Sequence, residues 1–261
     1  MRLQGKMDQY ISEKKYCYLY PALLLGGEVI KLILGEETIE YDRKTWYLLN
    51  GGNFVNQLFV HHGLLLWTML MGLVLALQYH VRTTEFDPLP LDARQLGPVR
   101  RHPLKMLGGM AVQTGIKVIL VVTVLQTLFW FMDHLFVWTG GRCTVSDTRD
   151  SVACRRLGGE WVGGFDISGH FCLVMNLSLV LWLELTELQR YMHSQEIQLR
   201  KFAWAKSAVL GALLVWLALL AITAIYYHTF MEKLLGTIFG YSTSLVIYYI
   251  LPRINRGLHY L

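Results

Sequence analysis

Two stretches of the chain carry side chains suited to phosphate chemistry. The first, GGFDISGH at residues 163–170, ends in His170 behind the small residues Ser168 and Gly169. Small residues let backbone approach a ligand closely, and a serine hydroxyl donates to an anionic oxygen. Asp166 or Ser168 would equally cap a following helix, whose N-terminus itself favours phosphate through unpaired N–H groups and the helix dipole. The second stretch, TAIYYHTFMEK at residues 223–233, spaces His228 and Glu232 four apart, which makes them neighbours if one helix runs through both. A carboxylate there orients the imidazole, fixes its tautomer and stabilises its cation, as a nucleophile or base requires. The plainer alternative is an ion pair of Glu232 with Lys233 or a nearby arginine. His61, His62, His80, His102, His134, His193 and His259 read as interfacial, loop or packing residues. The adjacent pair His61 and His62 does not make an iron site, which needs several histidine clusters to fill a coordination sphere. No metal ligand set and no cofactor motif is visible.

The elements that position these residues must lie in a bilayer. Of 261 residues 54% are hydrophobic and 16% charged, with mean hydropathy +0.36, whereas charged residues make up roughly 25% of a soluble chain. Apolar runs at about 16–35, 54–79, 112–137, 170–187, 206–228 and 234–251 each approach the roughly 20 residues needed to cross about 30 Å of hydrocarbon. All should be helical, because hydrocarbon satisfies no backbone polar group. The expected fold is an all-α integral membrane bundle of six helices in a single polytopic domain, residues 1–261. Residues 80–110, with TEFDPLPLDARQLGPVRRHPLK, read as a Pro-broken polar loop, and residues 138–169 as the loop carrying the first motif. The start, MRLQGKMDQYISEKK, has no cleavage-site pattern, so the first span should persist as an anchor. The net charge of +5 follows from basic loops and carries no implication of a nucleic-acid partner.

Orientation follows from the lysine and arginine bias toward the cytosol. Fifteen fall in the N-terminal tail, the Pro-rich loop, the loop near 190–206 and the C-terminal tail. Seven, Arg43, Lys44, Arg142, Arg149, Arg155, Arg156 and Lys233, fall on the other side. Both termini should face the cytosol. Cys143 and Cys154 share one loop on the opposite side; a bridge there implies an oxidising lumen, and two unpaired thiols are the alternative. The fourth span begins beside His170 and the fifth ends beside His228, so both histidines belong to the lumenal rim.

WVGGFDISGH, TAIYYHTFMEKLLG, the WTGGRC opening of the lumenal loop and Asn56-Gln57-Leu58-Phe59-Val60 resemble the fat storage-inducing transmembrane family, in particular its fungal members, over nearly the whole chain. The resemblance implies six spans, residence in the endoplasmic reticulum, and a role in lipid-droplet formation and membrane lipid homeostasis. It also implies a fatty acyl-CoA diphosphatase, cutting the CoA pyrophosphate to acyl 4′-phosphopantetheine and adenosine 3′,5′-bisphosphate. The family is a distant relative of lipid phosphate phosphatases: Ser168, Gly169 and His170 match their second motif, and His228 with Glu232 their third, glutamate replacing aspartate. Their first motif, lysine with a following Arg-Pro, is absent, as is the Ser-Arg that opens the third, so the usual cationic clamp is missing.

The resulting scheme has His228 attacking a phosphorus, Glu232 steadying its ring and His170 protonating the leaving phosphate. Ser168 and backbone N–H groups would hold the phosphoryl oxygens, with Arg142, Arg155 and Arg156 as possible sources of positive charge. No divalent cation is required. Asp166 and Asn56 are further candidates for substrate contact. An alternative function is a non-catalytic diacylglycerol- or triacylglycerol-binding protein, with Glu28, Lys31, Gln113, Lys117, Gln126 and Asp133 lining a headgroup cavity; interhelical pairing is the other use for such residues. Gly236 and Gly240 form a small-xxx-small pair suited to packing within the chain. Asn176-Leu177-Ser178 fits a glycosylation pattern but falls inside a span.

Overall fold

In a computed structural model, which describes residues 2–84, 103–194 and 200–254, the chain forms ten helices. They are α1 Arg2–Thr45, α2 Phe54–Asn56, α3 Gly63–Thr84, α4 Pro103–Trp138, α5 Ser151–Arg156, α6 Gly169–Ser194, α7 Arg200–Tyr226, α8 Phe230–Gly240, α9 Ser242–Leu245 and α10 Leu251–Ile254. π-helical turns at Gln57–His61 and Val246–Ile250 extend α2 and α9. Six stretches are long and apolar enough to cross a membrane: Tyr16–Thr45, Tyr47–Thr83, Leu104–Trp138, Gly169–Ser194, Ala203–Tyr226 and Phe230–Arg253. The protein is an all-α, six-helix membrane bundle.

The helices outrun their expected limits. α3 continues to Thr84 and α4 starts at Pro103, so the loop placed at 80–110 is helical at both ends. Proline is tolerated at the first helical position because its missing N–H has no intrahelical partner there. Residues 85–102, with Arg94, Arg100, Arg101 and His102, lie outside the described residues, as do 195–199 and 255–261. α1 runs well past 35, but Gly35, at φ 76°, interrupts it, and residues 36–45 form a separate limb beyond the break.

α6 is the central helix. Of its apolar window 72% is buried, against 17% for the first span, and a helix apolar on all sides belongs inside a bundle. α8 lies directly on it. A Cβ at Gly236 would come within 2.7 Å of the Ser168 carbonyl oxygen, and one at Gly240 within 2.6 Å of Met175 Cβ, so both glycines serve contact within this chain. Asn176 is fully buried, donating to the Phe239 carbonyl at 2.9 Å and accepting from the Thr243 N–H at 2.9 Å.

Polar residues inside the spans pair with one another. Lys117 meets Glu184 at 2.5 Å, and the same carboxylate accepts from Gln78 and Tyr248. Lys233, expected in a short loop, is instead on α8 and fully buried, where its ammonium bonds Glu28 and the Ala224 carbonyl. Lys31 donates to the His228 carbonyl at 3.1 Å. These contacts commit Glu28, Lys31 and Lys117 to neighbouring segments of the chain, the pairing use of intramembrane charge.

Between α4 and α6 the chain makes a small cross-linked cap. Strand β1, Arg142–Cys143, pairs antiparallel with β2, Trp161–Val162, and Cys143 is joined to Cys154 of α5 across a Cα separation of 5.7 Å. Asp150 caps α5 by accepting from the Ala153 N–H at 2.8 Å. Trp161 stacks on Phe136 with centroids 4.5 Å apart. Gly163 is at φ 89°, and a Cβ on Gly164 would lie 2.3 Å from the Phe136 carbonyl oxygen. The two glycines therefore let the loop pass over the end of α4 and deliver the segment 166–170 to the start of α6.

Candidate active site

His228 sits in a break between helices. α7 ends at Tyr226 and α8 begins at Phe230; His228 between them, at φ 59°, is the sole non-glycine at positive φ among the described residues. Such a conformation costs about 1–3 kcal/mol, and strain of this kind clusters at functional sites. The break is built by a capping box: the Thr229 hydroxyl accepts from the Glu232 N–H, and Glu232 Oε2 accepts from the Thr229 N–H at 2.7 Å. The proximity of His228 and Glu232 thus arises from a helix start rather than a continuous helix. Nδ1 of His228 is 3.8 Å from Glu232 Oε2 and 3.7 Å from Asp166 Oδ2. Both separations exceed hydrogen-bond length, leaving the imidazole between two carboxylates without being tied to either.

Glu232 also joins the two motifs. Its Oε1 accepts from the Asp166 N–H at 2.9 Å, and its carbonyl accepts from the Ser168 N–H at 3.1 Å. Burial holds the His228 imidazole below its ordinary pKa, opposed by the attraction of Asp166 and Glu232. Partial burial raises the Asp166 carboxyl, with His228 opposing and Glu232 adding. Burial thus disfavours the charged form of both groups and brings their titrations closer together, the kind of perturbation that clusters at functional sites.

His170 is held differently. It is the second residue of α6, and its Nε2 lies 2.8 Å from Asn56 Oδ1. Asn56 Nδ2 donates to the Gly51 carbonyl at 2.6 Å, and the Asn56 N–H to Asn53 Oδ1 at 2.7 Å. With the amide oriented this way its oxygen must accept, so His170 Nε2 carries hydrogen and Nδ1 is the nitrogen left for chemistry. The Ser168 hydroxyl is fully buried against Gly236 and has no partner among the described residues. A Cβ at Gly169 would meet Phe129 at 3.4 Å, so this glycine also faces protein.

Of the three loop arginines, Arg155 lies within electrostatic reach of Asp166, His170 and His61. Arg142 and Arg156 are exposed on β1 and α5, and among the described residues no hydrogen bond or ion pair links either to the histidines. His61, read from sequence as interfacial, belongs to this neighbourhood; it closes the π-helical turn that follows Asn56, a sequence relation to the Asn56 motif that could have drawn attention to it. Arg43 and Tyr227 were not candidates either, yet with His228 and Lys31, the latter read from sequence as a possible headgroup-cavity residue, they line an open cleft of about 820 Å³. Among the described residues no group of three or more His, Cys, Asp or Glu side chains could hold a metal ion.

A family model described as fat storage-inducing transmembrane protein matches residues 44–202 and 188–248. The chain is 33% identical to the acyl-coenzyme A diphosphatase YFT2 of Saccharomyces cerevisiae over 97% of both proteins. It is 26% identical to the acyl-coenzyme A diphosphatase fit1 of Schizosaccharomyces pombe over 88% of this chain and 82% of that one. With the acyl-coenzyme A diphosphatase FITM2 of Xenopus laevis it shares 32% identity over 51% of this chain and 55% of the relative. No solved structure matches. The six-helix bundle, the paired histidine motifs at one end of it and these matches agree, and the chain belongs to the fat storage-inducing transmembrane protein family.

Proposed function

We propose that this protein is a fatty acyl-CoA diphosphatase of the endoplasmic reticulum membrane, hydrolysing the CoA phosphoanhydride to acyl 4′-phosphopantetheine and adenosine 3′,5′-bisphosphate. The observation that carries the reading is the end-to-end likeness to YFT2, together with a site in which Asp166 and Glu232 flank the His228 imidazole. The acyl chain stays in the bilayer while the diphosphate reaches the ends of α6 and α8. Nδ1 of His228 faces carboxylates, so Nε2 is the atom that attacks phosphorus, and Asp166 and Glu232 stabilise the positive charge that develops on the ring. The departing phosphate leaves as its anion, and His170, its Nε2–H donated to Asn56, keeps Nδ1 as an acceptor for the proton of the incoming water. N–H groups in the first turn of α6 lack intrahelical partners, and with the charge of Arg155 they hold the phosphoryl oxygens; enclosed Ser168 positions this turn through its bond to Glu232. Water then attacks the phosphohistidine and restores His228.

The lysine and arginine bias and the Cys143–Cys154 bridge support an active site facing the oxidising lumen. Supply or removal of acyl-CoA at that face would link the enzyme to lipid-droplet formation and membrane lipid homeostasis. The test is to incubate the purified protein with long-chain acyl-CoA and identify both products by mass. Acyl phosphopantetheine and adenosine 3′,5′-bisphosphate in equal amounts support the reading; free CoA, inorganic phosphate alone, or no turnover overturns it.

A further inference from the structure

The cleft beside His228 is formed by the outer part of α1, the turn at Leu49–Gly51 and residues 226–229. Its volume of about 820 Å³ falls within the roughly 300–1,000 Å³ of clefts that enclose a ligand of drug size. It lies at the end of the bundle where α1 turns toward α2 and α7 turns into α8. Most of its charges are already used. Glu40 is paired with Lys44 at 2.6 Å, Glu232 accepts from two backbone N–H groups, and Lys31 donates to the His228 carbonyl. Asp42, next to the cleft, accepts from the Tyr226 hydroxyl at 3.2 Å.

Glu36 and Arg43, which also line the cleft, are the exceptions, and of the two only Arg43 is cationic. Its guanidinium lies 4.9 Å from the centroid of the Tyr227 ring; Glu40, one turn earlier, is within its electrostatic reach, but among the described residues no carboxylate forms a close ion pair with it. Tyr227 is itself fixed through its hydroxyl to the Leu49 carbonyl. A guanidinium stacked on an aromatic ring keeps its donor edge in plane and available, the geometry that binds phosphate in a bidentate manner. Arg43 lines the cleft from α1 and His228 from the turn between α7 and α8, whereas Asp166, Ser168 and His170 are not among the cleft's lining residues. Arg43 is therefore available to a phosphate other than the one at the two histidines.

A diphosphate bridging two halves of a substrate must send them in different directions from the attacking nitrogen. One half of acyl-CoA is held in hydrocarbon by its chain; the other is a hydrophilic nucleotide bearing a third phosphate. We propose that this cleft is the nucleotide subsite, receiving the adenosine 3′,5′-bisphosphate half of the substrate with the Arg43 guanidinium on the 3′-phosphate. This rests on the diphosphatase reading above and adds to it a discrimination between CoA and dephospho-CoA.

The experiment compares oleoyl-CoA with oleoyl-dephospho-CoA on the purified full chain as wild type, Arg43→Gln, Arg43→Lys and, as a control on the distant loop, Arg149→Gln. In parallel, titration calorimetry measures binding of adenosine 3′,5′-bisphosphate and of adenosine 5′-monophosphate, which needs no turnover. The wild type should show a KM for oleoyl-CoA roughly tenfold below that for the dephospho substrate, the scale of one charge-assisted hydrogen bond. Arg43→Gln should abolish that difference by raising only the oleoyl-CoA KM, with kcat little changed; Arg43→Lys should restore part of it, and Arg149→Gln should behave as wild type. Equal KM values in the wild type, or equal effects of Arg43→Gln on both substrates, would overturn the subsite. If the protein fails to cleave acyl-CoA yet binds the bisphosphate in an Arg43-dependent manner, the subsite stands and the diphosphatase reading falls. Cleavage combined with bisphosphate binding indifferent to Arg43 gives the reverse.

Discussion

Two charged clusters on α6 and its neighbours use similar side chains in opposite ways. In the first, Lys117 and Glu184, both under a tenth exposed, meet at 2.5 Å, and Gln78 and Tyr248 occupy the remaining acceptor capacity of the carboxylate. In the second, His228 stands 3.7 and 3.8 Å from Asp166 and Glu232 on strained backbone and opens to a cleft. Fourteen residues separate Glu184 from His170 along α6, which at 1.5 Å per residue is about 21 Å. A cluster whose members satisfy one another has nothing left for a ligand, and its use is to fix how α3, α4, α6 and the last span meet. A cluster held together by backbone, with its charged atoms just out of mutual reach, keeps them available for chemistry.

The contrast can be broken most forcefully at the satisfied cluster. Glu184→Ala strands the Lys117 ammonium in the bundle and should lower stability by about 3–5 kcal/mol, read as earlier thermal unfolding in detergent, while turnover per folded molecule stays at the wild-type value. A selective loss of turnover would mean that the two clusters are coupled. His228→Ala or His170→Ala should do the converse, with turnover reduced about a hundredfold or more and the unfolding midpoint unchanged; substantial residual activity in purified His228→Ala would remove it as nucleophile. Asn56→Ala, which frees the His170 ring to adopt either tautomer, should lower kcat roughly tenfold, equivalent to about 1.4 kcal/mol, with KM little altered. A rise in KM alone would argue that Asn56 contacts substrate directly.

The smallest effect is the most diagnostic of the loose cluster. Attack requires neutral His228, and burial already holds its pKa below the ordinary value while Asp166 and Glu232 oppose that shift and Lys233 adds to it. Removing one of the opposing carboxylates favours the neutral ring further. In Asp166→Asn the acidic limb of the kcat/KM profile should therefore move to lower pH, with little change at neutral pH. A shift toward higher pH would show that Asp166 is not acting on His228 as an anion.

Part of the site was legible because its motifs are local. DISGH at the start of a span and His228 four residues before Glu232 are both visible in the chain, and hydropathy brings them to the same end of the bundle. The helix break at His228 was also written there: Thr229-Phe230-Met231-Glu232 has the spacing of a capping box, a signal hidden by the apolar run around it. Lys233 looked like a loop cation for the same reason. Its burial depends on Glu28, some two hundred positions away, and no local pattern records such a partner.

What the sequence alone determined is how many segments can cross the membrane and which short segments lie at their ends, because crossing hydrocarbon is a requirement each segment meets by itself. Tertiary structure decided which charges cancel and which remain. Glu28 and Lys31, a turn apart on α1, are committed to Lys233 and to the His228 carbonyl, while Arg43 farther along the same element is not. The physical reason is that electrostatic pairing is set by distance in space, and the helices that bring these groups together are far apart in the chain.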